Sequence, residues 1–148
     1  MRPGAVYMNG RCVKPDDAVV SVFDRGFLYG DSIYETLRIY DRVPYAYEWH
    51  LERLRASGRY LGFELPWTDD ELVAATKQTT AASGLNDAYL RIICTRGSGT
   101  IGLDPGLAVN PNLVILVLPL PLLPSAWYTE GRSASLVSVR RNLQTAID

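Results

Sequence analysis

The chain has 148 residues, of which 47% are hydrophobic and 21% charged, and its formal net charge is −1. That profile is too hydrophobic for intrinsic disorder, and its near-neutral balance excludes binding to nucleic acid or anionic membrane through bulk charge. Cys12 and Cys94 lie far apart and His50 is the single histidine, so no disulfide framework, zinc site or histidine cluster is signalled.

Taken in chain order, the N-terminus lacks the basic–apolar–cleavage pattern of a signal peptide, and the reading is a cytoplasmic-type protein. Residues 5–8 are β-compatible and run into Asn9-Gly10, the strongest short hairpin signal, with residues 11–13 as the returning partner. Residues 18–23 read as another strand, broken at Asp24-Arg25-Gly26. After a turn at Gly30-Asp31, residues 32–40 alternate: Ile33, Glu35, Leu37 and Ile39 on one side, Ser32, Tyr34, Thr36 and Arg38 on the other. Asp41-Arg42 turns the chain into residues 43–45.

The period then changes. Tyr47, Leu51, Leu54 and Leu61 form one stripe of a helix over 47–61, with Gly62 as its stop. Thr68 and Glu71 make a capping-box start for a second helix, which ends at Ser83-Gly84. Residues 88–95 and 113–118 are apolar strands. Between them, residues 98–111 are rich in Gly, Pro and Asn and long for a connection, which marks a functional loop. Pro119 and Pro121 interrupt the longest apolar stretch, residues 113–123, well short of the ~20 residues of a spanning helix. With Pro124 they form a stiff connector. Residues 134–139 alternate like the first strand of a further unit. The expectation is an α/β (α+β) fold, a mostly antiparallel sheet carrying two helices.

The run Asp24-Arg25-Gly26-Phe27-Leu28-Tyr29-Gly30-Asp31-Ser32-Ile33-Tyr34-Glu35-Thr36-Leu37-Arg38 resembles the N-terminal signature of the class IV (fold type IV) pyridoxal-phosphate aminotransferases. Met8-Asn9-Gly10, His50-Leu51-Glu52-Arg53-Leu54, Tyr89-Leu90-Arg91 with Thr95-Arg96-Gly97, and Gly102-Leu103-Asp104-Pro105 match in the same order. Val139-Arg140-Arg141-Asn142 is similar to the strand before the family's lysine. The resemblance implies residues 1–118 as the small N-terminal domain, 119–131 as inter-domain linker and 132–148 as the first strand of a truncated large domain. It implies transfer of an amino group between an amino acid, of branched-chain type, and a 2-oxo acid. D-amino acid aminotransferase and aminodeoxychorismate lyase are the alternatives within the family. A non-catalytic half-domain for dimerisation or regulation is the alternative outside it.

Particular residues carry these expectations. From spacing alone, Arg53 reads as a solvated helix arginine beside Glu52 and Arg55. By resemblance it grips the phosphate of pyridoxal 5'-phosphate, which suits a guanidinium fork that never loses its charge. Tyr34 and Arg38 share a strand face, and by resemblance that face looks onto substrate. Arg91 stands between Leu90 and Ile92, where an unpaired charge is expensive, so it needs a carboxylate or cofactor partner; Tyr89 and Arg91 are assigned to the substrate side. Tyr29 is substrate-side by resemblance, and the 98–111 loop shapes the pocket, in some members that of a neighbouring subunit, which implies a homodimer. His50 is given no catalytic role, and no metal is expected. Lys14 and Lys77, the two lysines of the chain, both sit in the wrong context to hold the cofactor. The family lysine is expected just beyond Asp148, so these 148 residues should be inactive alone.

Overall fold

The computed structural model describes residues 3–139. Strand β1 (Ala5–Met8) turns at Asn9-Gly10 into β2 (Arg11–Val13), with Asn9 and Gly10 both at positive φ as the turn requires. A 3-10 turn (Pro15–Asp17) follows, then the one-turn helix α1 (Arg25–Tyr29), the long strand β3 (Ser32–Tyr40) and the short β4 (Val43–Pro44). Helices α2 (Tyr47–Tyr60) and α3 (Asp69–Ser83) lead to β5 (Ala88–Thr95). Strands β6 (Ser98–Gly99) and β7 (Ala108–Val109) lie within the connection to β8 (Asn112–Leu118), and α4 (Ala126–Thr129) is a last single turn.

The six-stranded sheet has the order β2-β1-β8-β5-β3-β4 and every pair in it is antiparallel. Antiparallel pairing lets each strand present one face to the core and one away from it. Ile33, Leu37 and Ile39 of β3 meet Leu90, Ile92 and Cys94 of β5 and Leu113, Ile115 and Val117 of β8 on the helix-covered face. Leu51 and Leu54 of α2 and Leu72 and Ala75 of α3 close that core. The two helices are joined by Tyr47, whose hydroxyl donates to the Leu72 carbonyl at 3.0 Å and lies 2.6 Å from Thr76 Oγ1; burial pushes the pKa of this hydroxyl up to about 12.

The two helices and the β3, β5 and β8 strands fall where hydrophobic periodicity puts them, and the Thr68–Glu71 capping box is formed in both directions. Two expected strands are absent. Residues 18–23 form no strand: Val19, Val20, Val22 and Phe23 are exposed, and only Asp24 bridges to Ser98. Asp24 instead caps α1 through Gly26 N at 2.7 Å, so the expected chain break at 24–26 is a helix start, and Gly30 in the left-handed region ends that helix. Residues 134–139 are exposed and form no strand, since no strand of the sheet runs beside them. The Arg140-Arg141-Asn142 match and the approach to the expected lysine lie outside the described residues.

Candidate active site

Alternation along β3 and β5 builds an open sheet face on the side away from the helices. Antiparallel register sets Tyr34 opposite Ile93, Thr36 opposite Arg91 and Arg38 opposite Tyr89. The Arg91 guanidinium carbon lies 3.9 Å from the centroid of the Tyr34 ring, a diagonal cation–π contact between neighbouring strands. The hydroxyls of Thr36 and Tyr89 are 3.5 Å apart, and the Arg38 guanidinium sits over the Tyr40 ring at 4.8 Å. Leu116 and Leu118 of β8 continue this face as an apolar wall, opposite Arg91 and Tyr89 respectively. Arg91 Nε is buried without a hydrogen-bond partner, the single such side-chain atom among the described residues. A buried donor with nothing to donate to marks where an anionic or carbonyl group would be favourable. Arg38 also borders a groove formed with Leu85, Asp87, Leu122 and Tyr128, so the connector after β8 passes beside this face.

Arg53 lies on the other side of the sheet. It projects from α2 toward Glu35, which occupies the helix-covered face of β3 and is 3% exposed. Arg53 Nε donates to Glu35 Oε1 at 2.7 Å and Nη2 donates to Oε2 at 2.6 Å, a two-point fork. His50 Nδ1 stands 2.7 Å from the same Oε2. Burial alone would raise the Glu35 carboxyl, but the hydrogen bonds and charges of Arg53 and His50 hold it below its ordinary value. The Arg53 side chain remains 66% exposed, so the fork uses one edge of the guanidinium and leaves the Nη1 side toward solvent. Strand β4 pairs with only Ile39 and Tyr40. The outer edge of β3 from Ser32 to Leu37 is therefore uncovered among the described strands, with Arg53 against β3 on the helix side and Tyr34 on the open side.

Tyr29 is placed elsewhere, at the loop. Its hydroxyl accepts from Gly102 N at 3.2 Å, and its ring lies under the Arg25 guanidinium at 4.8 Å. Arg25 donates through Nη1 and Nη2 to the Gly102 and Leu103 carbonyls and through Nε to Asp31. Arg96 Nε donates to the same Asp31 carboxylate, at 2.8 Å from Oδ2 and 3.0 Å from Oδ1, and its Nη atoms donate to the Leu61 and Gly62 carbonyls at the end of α2. Burial would raise the Asp31 carboxyl; Arg96 and Arg25 together hold it low. Gly97, at φ +99°, must be glycine, because a Cβ there would overlap the Val109 and Asn110 carbonyls. The 98–111 connection is thus a braced element containing the β6–β7 pair, with Ile101 and Leu103 exposed at its tip.

The structure therefore gathers Tyr34, Arg38, Tyr89 and Arg91 on one face, sets Arg53 on the opposite face against Glu35 of β3, and ties Tyr29 to the loop. Two groups escape the sequence reading. Glu35 is visible as the one acid among the apolar positions of β3, yet its partners come from α2. Arg25, Asp31 and Arg96 all stand in the matched motifs, but their mutual pairing spans 65 residues and leaves no local pattern.

A family model for class IV amino-transferases matches residues 32–146. The chain belongs to the class IV aminotransferase family. It is 40% identical over 136 residues to the "Putative branched-chain-amino-acid aminotransferase" of Methanocaldococcus jannaschii, covering 92% of this chain and 46% of that protein. It is 30% identical over 139 residues to the aminodeoxychorismate lyase of Bacillus subtilis, covering 93% of this chain and 46% of the lyase. Among solved structures, the branched-chain amino acid aminotransferase of T.th. with pyridoxamine 5'-phosphate superposes with a TM-score of 0.73 at 25% identity, covering 81% of this chain and 41% of that one. This class IV chain thus spans about half the length of the curated relatives it matches. The α+β fold with its mostly antiparallel sheet is that of these fold type IV neighbours.

Proposed function

We propose that this chain supplies the cofactor-phosphate and substrate-facing side of a pyridoxal-phosphate aminotransferase that moves an amino group between a branched-chain amino acid and a 2-oxo acid. One observation supports this reading above others: guanidinium groups stand on both faces of the β3–β5 pair, Arg53 against β3 from the helix side and Arg38 of β3 with Arg91 of β5 on the open face. Such an arrangement suits a ligand pair anionic at two ends, a phosphate and a carboxylate. The donor set fits a phosphate, since Arg53 has an unused edge and is held rigidly enough to present it.

Pyridoxal phosphate, when bound, supplies the electron sink on which amino groups are exchanged. This chain's residues have narrower tasks. Arg53 binds and orients the phosphate. Arg91 and Arg38 offer donors for a carboxylate, while Tyr34, Tyr89, Leu116 and Leu118 present the apolar and aromatic surface that an aliphatic side chain requires. Tyr29 and the 98–111 loop close a pocket of a neighbouring subunit, which makes the complete protein a homodimer. Lys14 follows the far edge strand β2 and Lys77 is exposed on α3, which covers the other sheet face, so the lysine that holds the cofactor belongs to another segment of the complete protein. We assign residues 1–118 to the small domain and 119–131 to the linker, with a second domain beginning at 132.

A lyase acting on aminodeoxychorismate is the second reading, favoured by the Bacillus subtilis relative. Both readings share the phosphate grip, which is tested by titrating the complete protein that carries this sequence with pyridoxal phosphate and with pyridoxal. Arg53→Ala should lose roughly tenfold to a thousandfold in affinity for the phosphorylated form, two charge-assisted hydrogen bonds being partly offset by other ligands. Affinity for pyridoxal should barely change. An unchanged affinity for pyridoxal phosphate would return Arg53 to a solvated helix arginine.

A further inference from the structure

We infer that Glu35 is the positioning residue for Arg53: its buried carboxylate takes the Nε–Nη2 edge of the guanidinium and fixes the Nη1 side for the cofactor phosphate. This rests on the reading of Arg53 given above and adds the group that makes it work.

Glu35 stands among core residues. Its neighbours on that face of β3 are Ile33, Leu37 and Ile39, and Ile92 is directly across in β5. An apolar side chain would fill such a position at no desolvation cost, whereas a carboxylate there is costly unless fully partnered. Glu35 is fully engaged: Oε1 accepts from Arg53 Nε, and Oε2 meets both Arg53 Nη2 and His50 Nδ1. Its partner is the reverse case. Arg53 is mostly exposed and projects from the surface of α2, so without an anchor its long side chain would sample many rotamers. A planar fork gripped along one edge can turn neither about its terminal bonds nor away from the β3 edge. The remaining edge is then presented in one orientation before any ligand arrives. His50 sits 3.5 Å from Arg53 Nη2 and braces the carboxylate from the side opposite Nε. It gives the lone histidine a task in holding Glu35 rather than in chemistry.

A carboxylate beside a phosphate site can also act against it. If Glu35 only withdrew positive charge from Arg53, removing it would strengthen binding. Positioning and charge withdrawal predict opposite signs for the same substitution, so the experiment decides between them.

The measurement uses the complete protein, titrated at equilibrium with pyridoxal phosphate and separately with pyridoxal, for wild type, Glu35→Gln, Glu35→Asp, Arg53→Ala and the Glu35→Gln/Arg53→Ala pair. Positioning predicts that Glu35→Gln loses about tenfold in affinity for pyridoxal phosphate, keeps its affinity for pyridoxal, and adds nothing on the Arg53→Ala background. Glu35→Asp retains the charge but withdraws it by one methylene from the fork, and should lose nearly as much. It keeps the test open where the neutral variant does not fold. Tighter binding in either Glu35 variant, equal losses for both ligands, or an added loss in the double variant overturns the positioning role. Arg53→Ala binding pyridoxal phosphate like wild type would overturn the cofactor reading beneath it. A loss in Arg53→Ala with none in the Glu35 variants would overturn the role of Glu35 alone.

Discussion

Arg91 and Arg53 share a residue type and little else. Arg91 lies in a strand, stacked on Tyr34, with a buried Nε that no group among the described residues satisfies. Arg53 lies on a helix, forked by a buried carboxylate and open on its other side. Their substitutions should therefore separate. Arg91→Ala should raise KM for the amino acid by roughly ten- to a hundredfold, the loss of one charge-assisted hydrogen bond, and leave cofactor affinity nearly unchanged. Arg53→Lys should recover only part of what Arg53→Ala loses, because lysine keeps the charge but cannot make the two-point fork with Glu35. Steady-state kinetics beside a cofactor titration checks both. Half of this contrast is visible in the sequence. Alternation in residues 32–40 puts Tyr34, Thr36 and Arg38 on one face, and the structure agrees. The stacking of Arg91 on Tyr34 depends on strand register between segments far apart in the chain, which no local period encodes.

At the scale of elements, what is legible is what local chemistry decides. The Thr68–Glu71 box starts α3 because each side chain satisfies the other's backbone donor, and Thr68→Ala should cost about 1 kcal/mol of stability in thermal or denaturant unfolding. The region that departs from expectation, residues 18–30, is decided by distant groups. Asp24 is 1% exposed and receives Thr95 and Asn112 as well as Gly26 N, so a residue that reads as a strand breaker is the capping centre of a small helix. The Arg25–Asp31–Arg96 triad likewise ties α1, the end of α2 and the 98–111 loop into one unit. Asp31→Asn would leave Arg25, 4% exposed, without its anionic partner, and should cost about 3–5 kcal/mol. Both Asp31 and Glu35 have carboxyls held below their ordinary values in the folded chain. The unfolded chain therefore binds more protons in the acidic range, and the stability they contribute is complete at neutral pH. It should be lost as pH falls from about 5 through their lowered values, and this loss should shrink in Asp31→Asn. Unfolding midpoints measured from pH 7 to 3 in both proteins check the sign.

The whole molecule sets an apolar core under two helices on one sheet face and an aromatic, arginine-bearing surface on the other. The family follows from the sequence, and the matched motifs run along most of the chain. Which partner completes the open face is a matter of assembly. Ile101 and Leu103, exposed on the braced loop, suit burial against a second copy. Sedimentation should find the complete protein as a homodimer, and an active strict monomer would contradict that assignment. The most direct test of the account is amino-group transfer itself. The complete protein, loaded with pyridoxal phosphate, is given 15N-labelled leucine, isoleucine, valine or D-alanine together with 2-oxoglutarate, and the label is followed by mass spectrometry. The account predicts 15N in newly formed glutamate, with branched-chain donors ahead of D-alanine. No transfer from any of these donors, with pyruvate released from aminodeoxychorismate instead, would contradict it.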